Sequence, residues 1–231
     1  MKTVIVIPTY NEAESIRGTI EEIFKYVPDC VRVLVVDDRS PDCTAALVRN
    51  HFEDHPRVDV FVRMEQRSFA KSYLEGFKQA LADPQAEAIF EMDADMSHHP
   101  RYLPDLLYGL QTADVVVGSR YVPGGDVSNF SAHRKLISRA ANVYARILTQ
   151  LPVRDITAGF VGYQRHVLER IPFDRIMSDG YGFQIEMKHH AHKLGARFHE
   201  VPIVFRDRYN GHSKMNKKMI WEGLRVGWRL K

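Results

Sequence analysis

The first half of the chain alternates between short apolar runs and longer segments with helical spacing. Val4–Ile7 is a β-branched run that Pro8 ends, because proline cannot donate to a sheet ladder. Residues 12–26 carry Ile16, Ile20, Ile23 and Phe24 at helical spacing, which predicts a helix with Asn11 as its N-cap. The same alternation predicts strands at 33–36, 58–62, 88–92 and 115–117. It predicts helices at 42–52, 68–81 and 100–110. All-apolar strands alternating with amphipathic helices indicate a parallel sheet covered on both faces. Ligands of such sheets bind beyond the carboxyl ends of the strands. Polar clusters fall at those ends here: Thr9-Tyr10-Asn11-Glu12, Asp37-Asp38, Asp93-Ala94-Asp95 and Ser119-Arg120.

Beyond Arg120 the alternation weakens. Pro123-Gly124-Gly125 reads as a turn. Residues 134–151 read as a helix whose apolar positions Ile137, Ala141, Tyr144 and Leu148 are expected to face the core, with contact to a lipid chain as the alternative. Residues 155–163 read as extended, 183–194 as a helix and 201–205 as a strand. From Lys217 a helix is expected, with Ile220, Trp221, Leu224 and Trp228 along one stripe.

At 231 residues and 45% hydrophobic composition the chain can bury one large core. The net charge of +3 is uneven: residues 197–231 hold nine Lys/Arg against three Asp/Glu, leaving the remainder at about −3. A basic C-terminal segment suits phosphate or an anionic surface, or is simply solvated. Cys30 and Cys43 make no disulfide framework, and Met1-Lys2-Thr3 leads straight into an apolar run, so a reducing, cytoplasmic compartment is expected. No apolar stretch in the sequence approaches the roughly 18–20 residues that span a bilayer, so membrane contact is expected to be peripheral or made through a membrane-anchor subunit.

Asp93 and Asp95 flank one residue after a strand, so both carboxylates can reach one divalent cation. Mg²⁺ typically takes one or two carboxylates and fills its other positions with phosphates and water. Gly-x-Gly-x-x-Gly is absent after the first strand and Gly-x-x-x-x-Gly-Lys-Ser/Thr is absent throughout, which disfavours dinucleotide oxidoreductases and P-loop phosphotransferases. His98-His99 reads as a surface pair at a helix start rather than a zinc site. Asp155 and Thr157 read as structural, Asp37 as a cap for the next segment, and Met92 and Met96 as packing residues. The basic residues lack interleaved aromatics outside the tail, so a nucleic acid partner is not expected.

Several segments together resemble family 2 glycosyltransferases of the GT-A fold, within them the dolichol-phosphate mannose synthase group. They are residues 7–12 (IPTYNE), 36–42 (VDDRSPD), 92–100 (MDADMSHHP) and 118–121 (GSRY), then Arg134 with 138–142 (SRAAN), 155–160 (DITAGF), 180–187 (GYGFQIEM) and 211–214 (GHSK). The resemblance implies a GT-A domain over 1–211, an α/β fold with a mostly parallel central sheet, and a basic amphipathic segment over 212–231. It implies an inverting transfer of mannose from GDP-mannose to dolichyl or polyprenyl phosphate, with Mg²⁺ or Mn²⁺ as cofactor. By that resemblance Asp93, Asp95 and Ser97 surround the metal. Pro8, Tyr10, Glu12, Val36, Asp38, Asp93, Ala94, Asp95, Arg120, Glu186, Arg208 and Lys214 hold the nucleotide sugar. Arg120, Arg134 and Ser138 receive the acceptor phosphate. Asp95, Arg120, Arg134 and Glu186 are the expected catalytic set. A lipid phosphate is already an anion at neutral pH, so cations that position phosphate suit it better than a general base.

Some positions depart from the family pattern. Residues 67–71 read Arg-Ser-Phe-Ala-Lys where relatives carry a Gly-Leu-Gly segment. Cys43 replaces a common glycine, a change expected to matter little. Phe130 stands for a frequent tryptophan, and His212 for a frequent glutamate. The alternatives are a UDP-sugar donor with undecaprenyl phosphate or another acceptor, and a non-catalytic nucleotide-sugar-binding subunit. The tail, with Trp221 and Trp228 among basic residues, is expected to lie on lipid headgroups, or else to pack on the domain.

Overall fold

A computed structural model describes residues 1–128, 132–206 and 228–230. A seven-stranded sheet runs in the order β3-β2-β1-β4-β7-β5-β8. Its strands are β1 (Thr3–Thr9), β2 (Val31–Asp37), β3 (Val58–Val62), β4 (Ala88–Glu91), β5 (Val115–Ser119), β7 (Val161–Gln164) and β8 (Phe198–Pro202). Neighbouring pairs are parallel except where β7 runs antiparallel to both β4 and β5. A second, two-stranded parallel sheet joins β6 (Asp126–Ser128) to β9 (Val204–Arg206). The helices are α1 (Ile16–Tyr26), α2 (Thr44–His51), α3 (Phe69–Ala82), α4 (Leu103–Gly109), α5 (Ala132–Thr149), α6 (Arg165–Leu168) and α7 (Gly180–Lys193).

The apolar runs are continuous because the sheet is buried on both faces. Along β1, Val4 and Val6 enter one core with Tyr73, Phe77 and Phe183, while Ile5 and Ile7 enter the other with Ile16, Ile20 and Ile23. α3 lies so close to β1 that a Cβ at Gly76 would come within 2.3 Å of Val6 Cγ1.

Four sequence expectations need correction. Asn11 does not cap α1: its φ is 57°, its N–H donates to Ser40 Oγ, and the helix begins at Ile16. The expected strand at 201–205 is two strands, because Ile203 turns the chain from β5 toward β6, donating to the Ser119 carbonyl and accepting from Asp126 N–H. Within 155–163 only Val161 onward is strand, and it enters the sheet antiparallel. Finally, the expected core face of α5 is only partly covered: Ala141 and Leu148 are half-buried, Ile137 and Tyr144 are exposed, and further apolar residues beside them point outward. Leu136 is 67% exposed and Ile147 69%, with Ile137, Val143 and Tyr144 beside them, while Asn142, Ala145 and Thr149 are buried. A polar anchor sets this orientation: Asn142 Oδ1 accepts from Ile156 N–H at 3.0 Å, and its amide donates to Thr157 Oγ1 at 3.2 Å. The amide must face inward to make these bonds, and small neighbours one helical turn away let the helix approach.

Candidate active site

The carboxyl ends of β1, β2, β4 and β5 carry the four polar clusters noted in the sequence. At the ends of β1 and β2, Asp37 accepts from Thr9 Oγ1, Ser40 N–H and Ser40 Oγ, and so caps the following turn. Asp38 is buried and accepts from Arg63, from Ser72 Oγ at 2.9 Å and from Ser68 N–H at 3.1 Å. The side chain of Val36 is fully buried in the core below. Glu12 Oε2 accepts from Ser15 Oγ at 2.9 Å. Pro8 is half-buried, and Tyr10, also half-buried, lies under the Arg67 guanidinium, 3.7 Å from ring centroid to Cζ.

The segment that replaces Gly-Leu-Gly is pinned by Asp179, the N-cap of α7. Its carboxylate accepts from Ala70 N–H at 2.8 Å and Ser68 Oγ at 3.1 Å. Sequence reasoning missed Asp179 and Arg63. Only their reach across the fold to residues 68–72 and Asp38 gives them a role.

At the end of β4 the backbone turns at Met96, whose φ is 62°. Tyr73 donates to Asp93 Oδ1 at 3.3 Å, and Ser97 N–H donates to Asp95 Oδ1 at 3.0 Å. Burial, then the Asp93 charge, pushes the Tyr73 hydroxyl well above its ordinary range, so it stays a proton donor. Ser97 is buried, and its Oγ has no hydrogen-bond partner among the described residues. A buried hydroxyl left unpaired beside two half-buried carboxylates fits a divalent cation, which would supply the missing partner. No group of three or more His, Cys, Asp or Glu among the described residues is arranged to hold a metal.

His98 is buried, not a surface residue as expected. Its Nδ1 accepts from Asp93 N–H at 3.3 Å, which places the neutral ring's proton on Nε2, and burial lowers its pKa. His99 accepts from Arg101 N–H and caps the short 3₁₀ turn Pro100–Tyr102.

At the end of β5, Arg120 is gripped by Asp155: Nε to Oδ2 at 2.7 Å and Nη2 to Oδ1 at 2.7 Å, with Nη2 also donating to Thr157 Oγ1 at 2.8 Å. Asp155 is 0% exposed. Burial pushes its carboxyl up, but the Arg120 charge and hydrogen bonds outweigh burial and hold it below its ordinary range. Asp155 and Thr157 thus orient the arginine, in keeping with their structural reading. Ser138 Oγ lies 2.6 Å from the Tyr121 hydroxyl. Arg134 lies on α5, but its side chain is outside the described part, and Arg208 and Lys214 also lie outside the described residues.

Phe205 bridges the acid loop and this arginine. The Phe205 ring lies 5.6 Å from His98, the neighbour of Ser97, and 5.5 Å from Arg120 Cζ. Glu186 is buried, and its Oε2 accepts from Met177 N–H at 3.2 Å, Ser178 N–H at 2.9 Å and Arg229 Nη2 at 3.1 Å. It fastens the 177–178 loop and the C-terminal turn, where Trp228, 64% exposed, donates to the Tyr144 hydroxyl at 2.7 Å. Lys217, Lys218, Trp221, Leu224 and Arg225 fall outside the described residues, as do Phe130 and His212. No helix among the described residues is long and apolar enough to cross a membrane.

The chain is 41% identical to an undecaprenyl-phosphate mannosyltransferase of Micrococcus luteus, over 98% of each chain. It is also 41% identical to a polyprenol monophosphomannose synthase of Mycolicibacterium smegmatis, over 96% of this chain and 84% of that one. Among solved structures, a mannosyltransferase of Pyrobaculum calidifontis in complex with GDP-Man and Mn²⁺ shares the fold at a TM-score of 0.61. It covers 90% of this chain and 57% of that one, at 22% identity. The family described as Glycosyl transferase family 2 matches residues 4–172, and with strand-end acids and a mostly parallel sheet in the expected places, the chain belongs to that family.

Proposed function

We propose that the protein transfers mannose from GDP-mannose to a polyprenyl or dolichyl phosphate, inverting the anomeric carbon. The observation that carries this reading is that the Asp93–Ser97 loop and the Asp155-held Arg120 flank one ring, Phe205, through His98 on one side and the guanidinium on the other. Two relatives at 41% identity support the mannosyl transfer to a polyprenyl phosphate: one is named an undecaprenyl-phosphate mannosyltransferase, the other a polyprenol monophosphomannose synthase.

Asp93, Asp95 and Ser97 would hold Mg²⁺ or Mn²⁺. Bound there, the cation acts as a Lewis acid on the departing diphosphate. Pro8, Tyr10, Glu12 and Asp38 line the nucleotide side, with the backbone at Val36 and Ala94 and the charges of Arg208 and Lys214. Asp38 already accepts from Arg63, Ser68 and Ser72, which leaves about one of a carboxylate's four lone-pair sites for a base ring N–H. Arg120, Arg134 and Ser138 receive the acceptor phosphate, and a guanidinium fixed at two nitrogens presents little freedom to lose on binding. A phosphate oxygen attacks the anomeric carbon, that carbon's bond to the diphosphate oxygen breaks, and the nucleoside diphosphate leaves with the electron pair. No proton has to be removed from the acceptor, so no side chain is assigned as base. Glu186 enters this scheme as an anchor of the 177–178 loop rather than a group that meets the sugar.

The outward face of α5 suits the same substrate. Leu136, Ile137, Val143, Tyr144 and Ile147 form an apolar stripe, and exposed Trp228 touches it through Tyr144. Such a stripe on the helix that carries Arg134 and Ser138 would seat the protein peripherally on the cytoplasmic leaflet where a lipid phosphate resides. Transfer of radiolabel from GDP-mannose, UDP-glucose or UDP-N-acetylglucosamine into organic-extractable polyprenyl phosphate tests the reading. Label from GDP-mannose alone is expected, and label only from a UDP-sugar would replace it.

A further inference from the structure

Between the β4 strand and the 155–159 segment runs a chain of buried polar groups that the transfer scheme leaves unused. Gln184 and Lys188 lie one helical turn apart on α7. Lys188 is 0% exposed, and its Nζ donates to the Ala158 carbonyl at 2.7 Å, the Gln184 carbonyl at 3.2 Å and Gln184 Oε1 at 3.3 Å. Gln184 Nε2 donates to Glu91 Oε2 at 2.8 Å, and the Tyr163 hydroxyl to Glu91 Oε1 at 2.9 Å. Glu91 is as deeply buried as Lys188. An ammonium and a carboxylate persist at such depth only when acceptors and donors surround them. Burial accordingly pushes Lys188 down to about 8 and Glu91 up to about 7, against the pull of their opposite charges.

The ends of this chain matter more than its charge. Glu91 closes β4, two residues before Asp93. Ala158 lies in the 155–159 segment whose Asp155 and Thr157 hold Arg120. At Gly159 a Cβ would lie 3.4 Å from Gln184 Nε2, so that segment rests directly on α7. Because Lys188 occupies Gln184 Oε1, the amide nitrogen has to face Glu91. Neutralising Glu91 alone would not require a bond to the Ala158 carbonyl.

We infer that Lys188 is a positioning residue that sets the 155–159 segment, and through it Arg120, relative to the Asp93–Asp95 loop, so that acceptor phosphate and donor meet in register. This rests on the proposed transfer to polyprenyl phosphate. The test compares wild type, Lys188→Met and the double variant Glu91→Gln/Lys188→Met. Each is assayed with GDP-mannose, Mn²⁺ and a short-chain polyprenyl phosphate in detergent, together with GDP-mannose affinity and thermal midpoint. The double variant removes both buried charges and is expected to regain the thermal midpoint lost in Lys188→Met. Its KM for polyprenyl phosphate is expected to stay raised about fivefold or more, with GDP-mannose affinity within about twofold of wild type. Recovery of acceptor KM together with the midpoint would make Lys188 only a counter-charge and overturn the inference, as would wild-type acceptor KM in either folded variant. Failure of the double variant to fold would overturn it too, by making Lys188 structural. Absence of transfer by wild type would instead sink the functional reading and this inference with it.

Discussion

The two regions that the proposed function assigns to donor and acceptor are built on opposite plans. On the donor side, Asp93, Asp95 and Ser97 sit within one turn of chain, half-buried carboxylates next to a buried hydroxyl with no partner among the described residues. On the acceptor side, Arg120 is already locked by Asp155 and Thr157, and Asn142 fastens Thr157 and the Ile156 backbone between them. One side leaves coordinating oxygens to be completed by what binds. The other fixes a cation in advance. Anionic ligands held together with a metal can be gathered by a short local loop, whereas orienting a planar guanidinium needs a rigid frame drawn from several elements.

The largest expected effect lies on the donor side. Asp95→Ala should lower mannosyl transfer by on the order of 10²–10³-fold, as loss of a group that stabilises transition-state charge does. Its thermal midpoint should stay near wild type, and a large stability loss instead would show that the loop is part of the frame. Asp155→Asn should do the reverse in kind. Breaking a buried ion pair costs about 3–5 kcal/mol, read as a drop in the urea midpoint, with transfer falling as Arg120 loosens. The same pair has a pH signature. Because the folded carboxyl titrates below its ordinary value, its stabilising share is present above about pH 4 and is lost as pH falls further. Acid unfolding of Asp155→Asn should therefore be shallower than that of wild type. On the outer wall of the acceptor side, Ile147→Glu should weaken binding to anionic vesicles by about tenfold while changing stability by less than about 0.5 kcal/mol. Unchanged flotation would remove α5 from the membrane surface. The smallest effect returns to the donor side: Cys43 has a φ of 63°, so Cys43→Gly should add about 1 kcal/mol of stability, measured by denaturant unfolding, with transfer unaffected. That position, expected from sequence to matter little, carries a backbone reason for the family's glycine.

The same contrast governs what could be read from the residues. Parallel strands declared themselves as uninterrupted Val/Ile runs because both sheet faces are covered, and the donor acids lie in one short motif. Arg120 and Asp155 are 35 positions apart, and Gln184 and Glu91 are 93 apart, so nothing local announces either pair. α5 misled for a different reason. Its apolar stripe has the spacing of a core-facing helix, and periodicity reports that a face is apolar without saying what covers it. The inward direction was decided by Asn142, a residue that hydrophobic patterning scores as outward. β7 went unrecognised as antiparallel because a four-residue strand buried on both faces reads the same in either direction.

That reversed strand has a consequence for how the polypeptide is made. β1, β2, β3 and β4 pair with one another using only the first 91 residues, so their register can form early during synthesis. β5 cannot take its place when it emerges, since the slot beside β4 belongs to residues 161–164. Until the ribosome has passed that point, β4 presents bare backbone amides and carbonyls, a template for wrong partners. The late strand is thus the rivet that joins two halves, and a nascent chain halted just short of it would carry the unpaired β4 edge into solvent.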